Sequence, residues 1–140
     1  MGIGNLLLSD EGVGVHAAQA LIEMDLPDAV EVLDVGTALL DALPALENKK
    51  WIIILDAMQA NGKPGTIYRT LLNHCQQNQR IDSMHSFDLF RMLAFAQNEI
   101  TPEVVVLGVE PAIIEWGLEL SPEVSASLPI LIEAAQKEMR

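Results

Sequence analysis

The sequence predicts a single three-layer α/β domain over residues 1–140: a mostly parallel, twisted sheet with helices on both faces and a first strand that is truncated or absent. Three observations carry this. Short uninterrupted apolar runs, Trp51 to Leu55 and Val104 to Leu107, are of the kind found in strands buried on both faces. Segments with helical periodicity alternate with them. A Gly-x-Gly turn, Gly2-Ile3-Gly4, opens the chain where such sheets pass from a first strand to a first helix. At 140 residues there is material for one well-cored domain, not two.

Each element follows from local pattern. Val13, Ala17, Ala20, Leu21 and Met24 recur at helical spacing, with Pro27 just beyond, so residues 12–24 form an amphipathic helix. Val30 to Leu33 reads as a short strand. Residues 38–46 read as a second helix that presents Leu39, Leu40, Leu43 and Leu46 and is broken near Pro44. Trp51 to Leu55 is the central strand. Asn61-Gly62-Lys63-Pro64-Gly65 is a turn, and Thr66 to Thr70 after it alternates as an antiparallel edge strand. A polar loop is expected to about Met84. Ser86 then caps a helix from Phe87 to about Gln97, with Asp88 in its first turn. Val104 to Leu107 is another buried strand. Ser121-Pro122-Glu123 starts the last helix with a cap, a proline at the first helical position and an acid beside the positive end of the dipole. Pro129 falls inside that helix and predicts a kink.

The Gly-x-Gly loop should follow a strand, yet only Met1 precedes Gly2. The first strand is therefore expected to be missing or a stub, through a late-assigned start or a truncated form. Its neighbours would then carry unpaired backbone groups, each costing roughly 1 to 3 kcal/mol if buried.

Composition narrows the partners. The formal net charge of −12 disfavours nucleic acid and anionic membrane surfaces and favours a cation or a neutral or basic protein. The one cysteine, Cys75, has no intrachain partner, in keeping with a reducing compartment. No signal peptide opens the chain and no apolar run is long enough to span a bilayer, so a soluble cytoplasmic protein is expected.

The chemistry lies in the acids. Ligands in open α/β sheets bind at the carboxyl ends of the strands. Asp34 follows Val30 to Leu33, Asp56 follows Trp51 to Leu55, and Glu11 lies in the loop after the reduced first strand. Three carboxylates converging on one edge would need a cation or shared protons. His85, just before the Ser86 cap, could complete a carboxylate, carboxylate and imidazole set suited to nickel or zinc, with open positions for another ligand. Simpler readings stand beside this one. Asp10 and Glu11 could complement a helix dipole, Asp34 and Asp56 could cap turns, and His85 could be a structural histidine. His16, His74 and Cys75 have no comparable setting. The Gly-rich opening could also serve a nucleotide, but Asp10 and Glu11 would repel a pyrophosphate.

In order along the chain, Gly2-Ile3-Gly4-Asn5-Leu6, Asp10-Glu11-Gly12-Val13-Gly14, Leu33-Asp34-Val35-Gly36-Thr37, Leu55-Asp56-Ala57, Pro64-Gly65-Thr66, His85-Ser86, Leu107-Gly108-Val109-Glu110-Pro111 and Leu120-Ser121-Pro122-Glu123-Val124 resemble the hydrogenase maturation endopeptidases. The resemblance spans essentially the whole chain. It implies an enzyme that removes a short C-terminal extension from the large-subunit precursor of a nickel–iron hydrogenase after nickel insertion. Glu11, Asp56 and His85 match the family's metal-binding positions. The nickel is then that of the precursor, and zinc or cadmium could take its place in a purified sample. Asp34, in a segment similar to the family's Asp-Gly-Gly-Thr, is the candidate for orienting substrate or assisting proton transfer. Val35 stands where a glycine is usual there. A non-catalytic, metal-dependent binding module on the same fold would keep the same three ligands.

Overall fold

The computed structural model describes residues 1–77, 82–83, 88, 91–93 and 101–139, with the backbone alone at 75–77 and 82–83. Its strands are β1 (Gly2–Ile3), β2 (Asp34–Gly36), β3 (Trp51–Gln59), β4 (Ile67–Leu71), β5 (Asp82–Ser83) and β6 (Glu103–Val109). Its helices are α1 (Val13–Ile22), α2 (Leu43–Leu46), α3 (Leu72–Gln77) and α4 (Pro122–Glu138). Five strands lie in the order β2-β1-β3-β6-β4. β1, β2, β3 and β6 are parallel, β4 closes the edge antiparallel to β6, and β5 pairs antiparallel with the last residues of β3.

Alternation along β3 and β6 divides the core in two. Ile52, Ile54, Met58, Val104 and Val106 face one side with Ile3, and they pack against Leu39, Leu46, Leu72 and Met92. Leu55, Ala57, Val105, Leu107 and Val109 face the other, against Val13, Ala17 and Leu21 of α1 and Val124, Leu131 and Ala135 of α4. The sheet is thus covered on both faces, which is what its continuous apolar runs require. Gly14 lets α1 lie directly on the strand ends, since a Cβ there would collide with the carbonyl oxygens of Ile3 and Leu55.

The first strand is a stub. Met1 still pairs with β3: its amine donates to the Ile53 carbonyl at 2.7 Å, and its carbonyl accepts the Leu55 N–H at 2.8 Å. Ahead of Met1, a cavity of about 360 Å³ opens in the plane of the sheet between Val32 and Leu33 on one side and Trp51 and Ile53 on the other. Leu21 reaches it from one face and Leu46 from the other.

Shortness of β1 explains one correction. Val30 to Leu33 does not form a strand; β2 is Asp34–Gly36, because the ladder can run only where β1 offers partners, Gly2 to Asp34 and Ile3 to Gly36. Residues 38–46 are likewise two pieces, a 3-10 turn over Leu39–Ala42 and then α2, with Pro44 in the first turn of α2, where a missing N–H costs nothing. β3 runs four residues beyond the apolar stretch, through Asp56 to Gln59. Within the segment expected as a polar loop to about Met84, residues 72–77 are α3 and residues 82–83 are β5, and the remainder lies outside the described residues. Asp88 and residues 91–93 are helical, and the rest of the helix expected from Phe87 to Gln97 lies outside the described residues.

The last helix starts as the sequence requires, with Ser121 Oγ accepting the Val124 N–H at 3.3 Å. It continues through Pro129. Pro129 and Ser125 are both exposed, so the Ser125 carbonyl that loses its helical partner can bond to water. The far end of α4 is fixed to the sheet: Glu138 accepts Arg69 Nε at 2.6 Å and Nη2 at 3.0 Å, and its carbonyl accepts Trp51 Nε1 at 2.9 Å.

Candidate active site

β1 delivers the chain to a tight turn. Gly4 sits at φ 143°, and a Cβ there would strike the Glu11 carbonyl oxygen, so the returning turn Ser9–Gly12 lies directly against it. This turn also packs on β3. Asp10 and Glu11, adjacent in sequence, have different roles.

Asp10 is completely buried and is held entirely by backbone. Its Oδ2 accepts the N–H of Ala112 at 2.8 Å and of Ile113 at 2.9 Å, and its Oδ1 accepts the N–H of Ser121 at 2.7 Å. Three N–H donors repay the desolvation of one carboxylate. Asp10 therefore ties the segment after β6 to the loop after β1, and sequence reasoning had no means to see it. Its partners are backbone groups about a hundred residues away, which no side-chain motif marks.

Glu11, in the turn after β1, is 3% exposed, and Asp56, in the neighbouring strand β3, is fully buried. Asp56 lies within β3, in register with Gly108, and its Oδ1 accepts the N–H of Ala57 at 2.8 Å. Strand alternation puts its side chain on the Ile54 and Met58 face. On that face a cavity of about 420 Å³ is lined by Thr37, Leu39, Leu40, Asp88, Arg91 and Met92.

Asp34 is not gathered with this pair. It opens β2 instead of following a strand, is exposed, and accepts Gln19 Nε2 of α1 at 3.0 Å. Its neighbour Val35 packs on the Ile54 face, so Asp34 points to the α1 face, opposite Asp56. The three acids thus do not converge on one point: Glu11 and Asp56 are buried, in the turn after β1 and within β3, and the third stands on the other side of the sheet from Asp56. His85 lies outside the described residues. Among the described residues no group of three or more His, Cys, Asp or Glu side chains is placed to hold a metal ion. The Glu11 and Asp56 carboxylates offer the hard oxygen half of a mixed oxygen and nitrogen ligand set.

A fourth buried acid, Glu110, organises the rim. Glu110 Oε2 accepts the N–H of Ala60 at 2.8 Å and the hydroxyl of Tyr68 at 2.9 Å, joining the end of β6 to the loop after β3. Burial and the Glu110 carboxylate both raise the Tyr68 hydroxyl pKa above its ordinary value.

Comparison with known proteins agrees with this architecture. The family described as hydrogenase maturation protease matches residues 15–138. The chain is 33% identical to the hydrogenase 2 maturation protease of Escherichia coli K12 over 146 aligned positions, which cover 100% of this chain and 88% of that protein. It is 31% identical to the hydrogenase expression/formation protein HupD of Rhodobacter capsulatus, covering 100% of this chain and 70% of that one. The structure superposes on the hydrogenase maturating endopeptidase HybD from E. coli with a TM-score of 0.83 at 32% identity, over 96% of this chain and 86% of that one. Against the [NiFe] hydrogenase maturation protease HybD from Thermococcus kodakarensis the TM-score is 0.81 at 28% identity, over 97% and 94%. With the family matched along most of its length and the fold shared with solved members, this chain belongs to the hydrogenase maturation proteases and is a peptide-bond hydrolase.

Proposed function

We propose that this protein removes a C-terminal extension from the large-subunit precursor of a nickel–iron hydrogenase once nickel has been inserted, with Glu11, Asp56 and His85 engaging the nickel of the precursor. The observation that carries the reading is the burial of two acids, Glu11 in the turn that follows β1 and Asp56 in the adjacent parallel strand β3. Carboxylate oxygens are hard ligands that suit a divalent cation in a mixed oxygen and nitrogen set. Asp10 next door is compensated by backbone and belongs to the scaffold.

Three protein ligands leave coordination positions for the precursor's own groups, so the site would recognise nickel only as the precursor presents it. Nickel held beside the scissile bond can polarise its carbonyl or lower the pKa of an attacking water. Zinc or cadmium would fill the same ligand set in a purified sample. The cavity beside Leu39 and Met92, on the Asp56 face, is suited to an extended C-terminal segment. Asp34 stands on the opposite, α1 face and is exposed, so of its two candidate roles, orienting the incoming chain and assisting proton transfer, only the first is kept.

The test is to incubate the protein with nickel-loaded and nickel-free precursor and read the precursor's C-terminus by intact mass. Shortening confined to the nickel-loaded sample, and lost with Glu11→Gln or His85→Ala, is the expected result. An untouched nickel-loaded precursor would leave only a binding role for the site.

A further inference from the structure

Residues 112–120 form a loop that contains no basic residue and exposes apolar side chains. Trp116 is 80% and Leu118 68% exposed, and Leu7 and Ile113 are exposed as well. Isolated surface apolar residues are ordinary, whereas a group of four with an exposed tryptophan marks an interaction surface.

This group is held rigidly. Gly117 N–H donates to the Leu7 carbonyl at 3.0 Å, and Ser9 N–H donates to the Gly117 carbonyl at 2.9 Å, a parallel bridge that sets Leu7 beside Trp116. Ser9 Oγ donates to the Glu115 carbonyl at 3.0 Å, and the Asp10 carboxylate grips Ala112, Ile113 and Ser121 from beneath. The side chains are thus presented on an ordered backbone, which lowers the entropy cost of docking. The same turn that anchors the platform carries Glu11 as its next residue.

We propose that the platform of Leu7, Ile113, Trp116 and Leu118 is the docking surface for the body of the precursor, meeting an apolar patch bordered by lysine or arginine. This rests on the reading above. Charge decides the partner's chemistry: Glu115 and Glu119 are exposed on the platform, and the whole protein carries −12, so a basic border is attracted and an acidic one repelled. A second copy of this chain would bring the same acids against themselves. Trp116 takes the part of the central aromatic anchor, and Glu11 follows directly on Ser9 and Asp10, which hold the platform's backbone.

The test compares wild type, Trp116→Ala, Trp116→Ala with Leu118→Ser, and Glu115→Lys with Glu119→Lys, for affinity to nickel-loaded precursor and for single-turnover cleavage at saturating protein. Both apolar side chains are exposed, so the variants should keep the wild-type melting temperature. The expected result is a loss of affinity of about tenfold or more for Trp116→Ala, slower association for the charge reversal, and a near wild-type single-turnover rate once the complex is filled. Wild-type affinity in Trp116→Ala, alongside normal cleavage by the wild type, overturns the docking surface and leaves the proposed function standing. A concentration-dependent dimer dissolved by Trp116→Ala reassigns the platform to self-association and overturns it as well. A wild type that neither binds nor cleaves the precursor overturns both.

Discussion

The carboxylate of Asp10 accepts the backbone N–H of Ser121 at 2.7 Å, across 111 residues of chain. With Ala112 and Ile113 on its other oxygen, one side chain closes the loop after β1 onto the segment that leads into α4. Asp10→Ala leaves three amide donors without an acceptor and should cost about 2 to 4 kcal/mol. Asp10→Asn keeps one oxygen but turns an NH₂ toward amide donors, and should lose about half as much. Urea denaturation of the two variants checks this; a midpoint unchanged in Asp10→Ala would show that water replaces the carboxylate.

Met1 gives the fold a pH dependence of its own. Burial lowers the α-amine pKa to about 5 from the ordinary 8.0, so above that value the folded state holds the amine neutral while the unfolded chain is protonated up to about pH 8. Stability therefore rises with pH between about 5 and 8, and the full change amounts to about 4 kcal/mol at about 1.36 kcal/mol per unit. Lengthening the chain ahead of Met1 by four β-branched apolar residues replaces the amine with an amide and fills the cavity beside Trp51 and Ile53. Such a variant should melt several degrees higher and lose this part of the pH profile. Melting curves of both forms, Met1 retained, decide it; parallel profiles would refute the buried amine.

Tyr68 is the one tyrosine of the chain, so a phenol titration reports on it alone. Its hydroxyl donates to Glu110, and burial with that carboxylate raises its pKa. The stability this contributes is present below the unfolded pKa of about 10 and is lost as pH rises through the higher folded value. Absorbance near the tyrosinate band should show ionisation above the ordinary range, moving back toward it in Glu110→Gln. Tyr68→Phe removes the hydrogen bond and should cost about 1 kcal/mol.

How much was legible in the sequence depends on the range of the forces involved. β3, β6 and α1 were readable because their apolar periodicity is local and their burial follows from it. The Ser121 cap and the antiparallel edge strand near Thr66 to Thr70 likewise rest on neighbouring residues. The extent of β2 was not readable, since it is set by the two residues that β1 can offer. Nor was the face on which Asp34 stands: position relative to a strand locates an acid along the sheet, and only the register locates it across. Asp10 and Glu110 escaped notice as organising groups because their partners are remote backbone amides and a remote hydroxyl. Glu11 and Asp56 were singled out by their place after apolar runs and glycine turns; both are buried, but β3 runs on past Asp56 to Gln59, because the pairing with β6 continues beyond the apolar stretch.

Asp10, Glu11 and Asp56 are all buried acids, yet neutralising them should show in different measurements. Asp10→Asn weakens a carboxylate already satisfied by donors. Glu11→Gln and Asp56→Asn change acids of the proposed nickel-engaging set while keeping their size, and Asn at 56 keeps an oxygen for the Ala57 N–H, so the expected loss is chiefly in cleavage and only slight in stability. Cleavage should fall further than the roughly 10–100-fold that loss of supporting contacts around a metal commonly costs. Melting temperature and single-turnover cleavage measured on the same preparations separate the two classes. A large drop in melting temperature for Glu11→Gln, with cleavage reduced only in proportion to the folded fraction, would make Glu11 another scaffold acid and take it out of the nickel site.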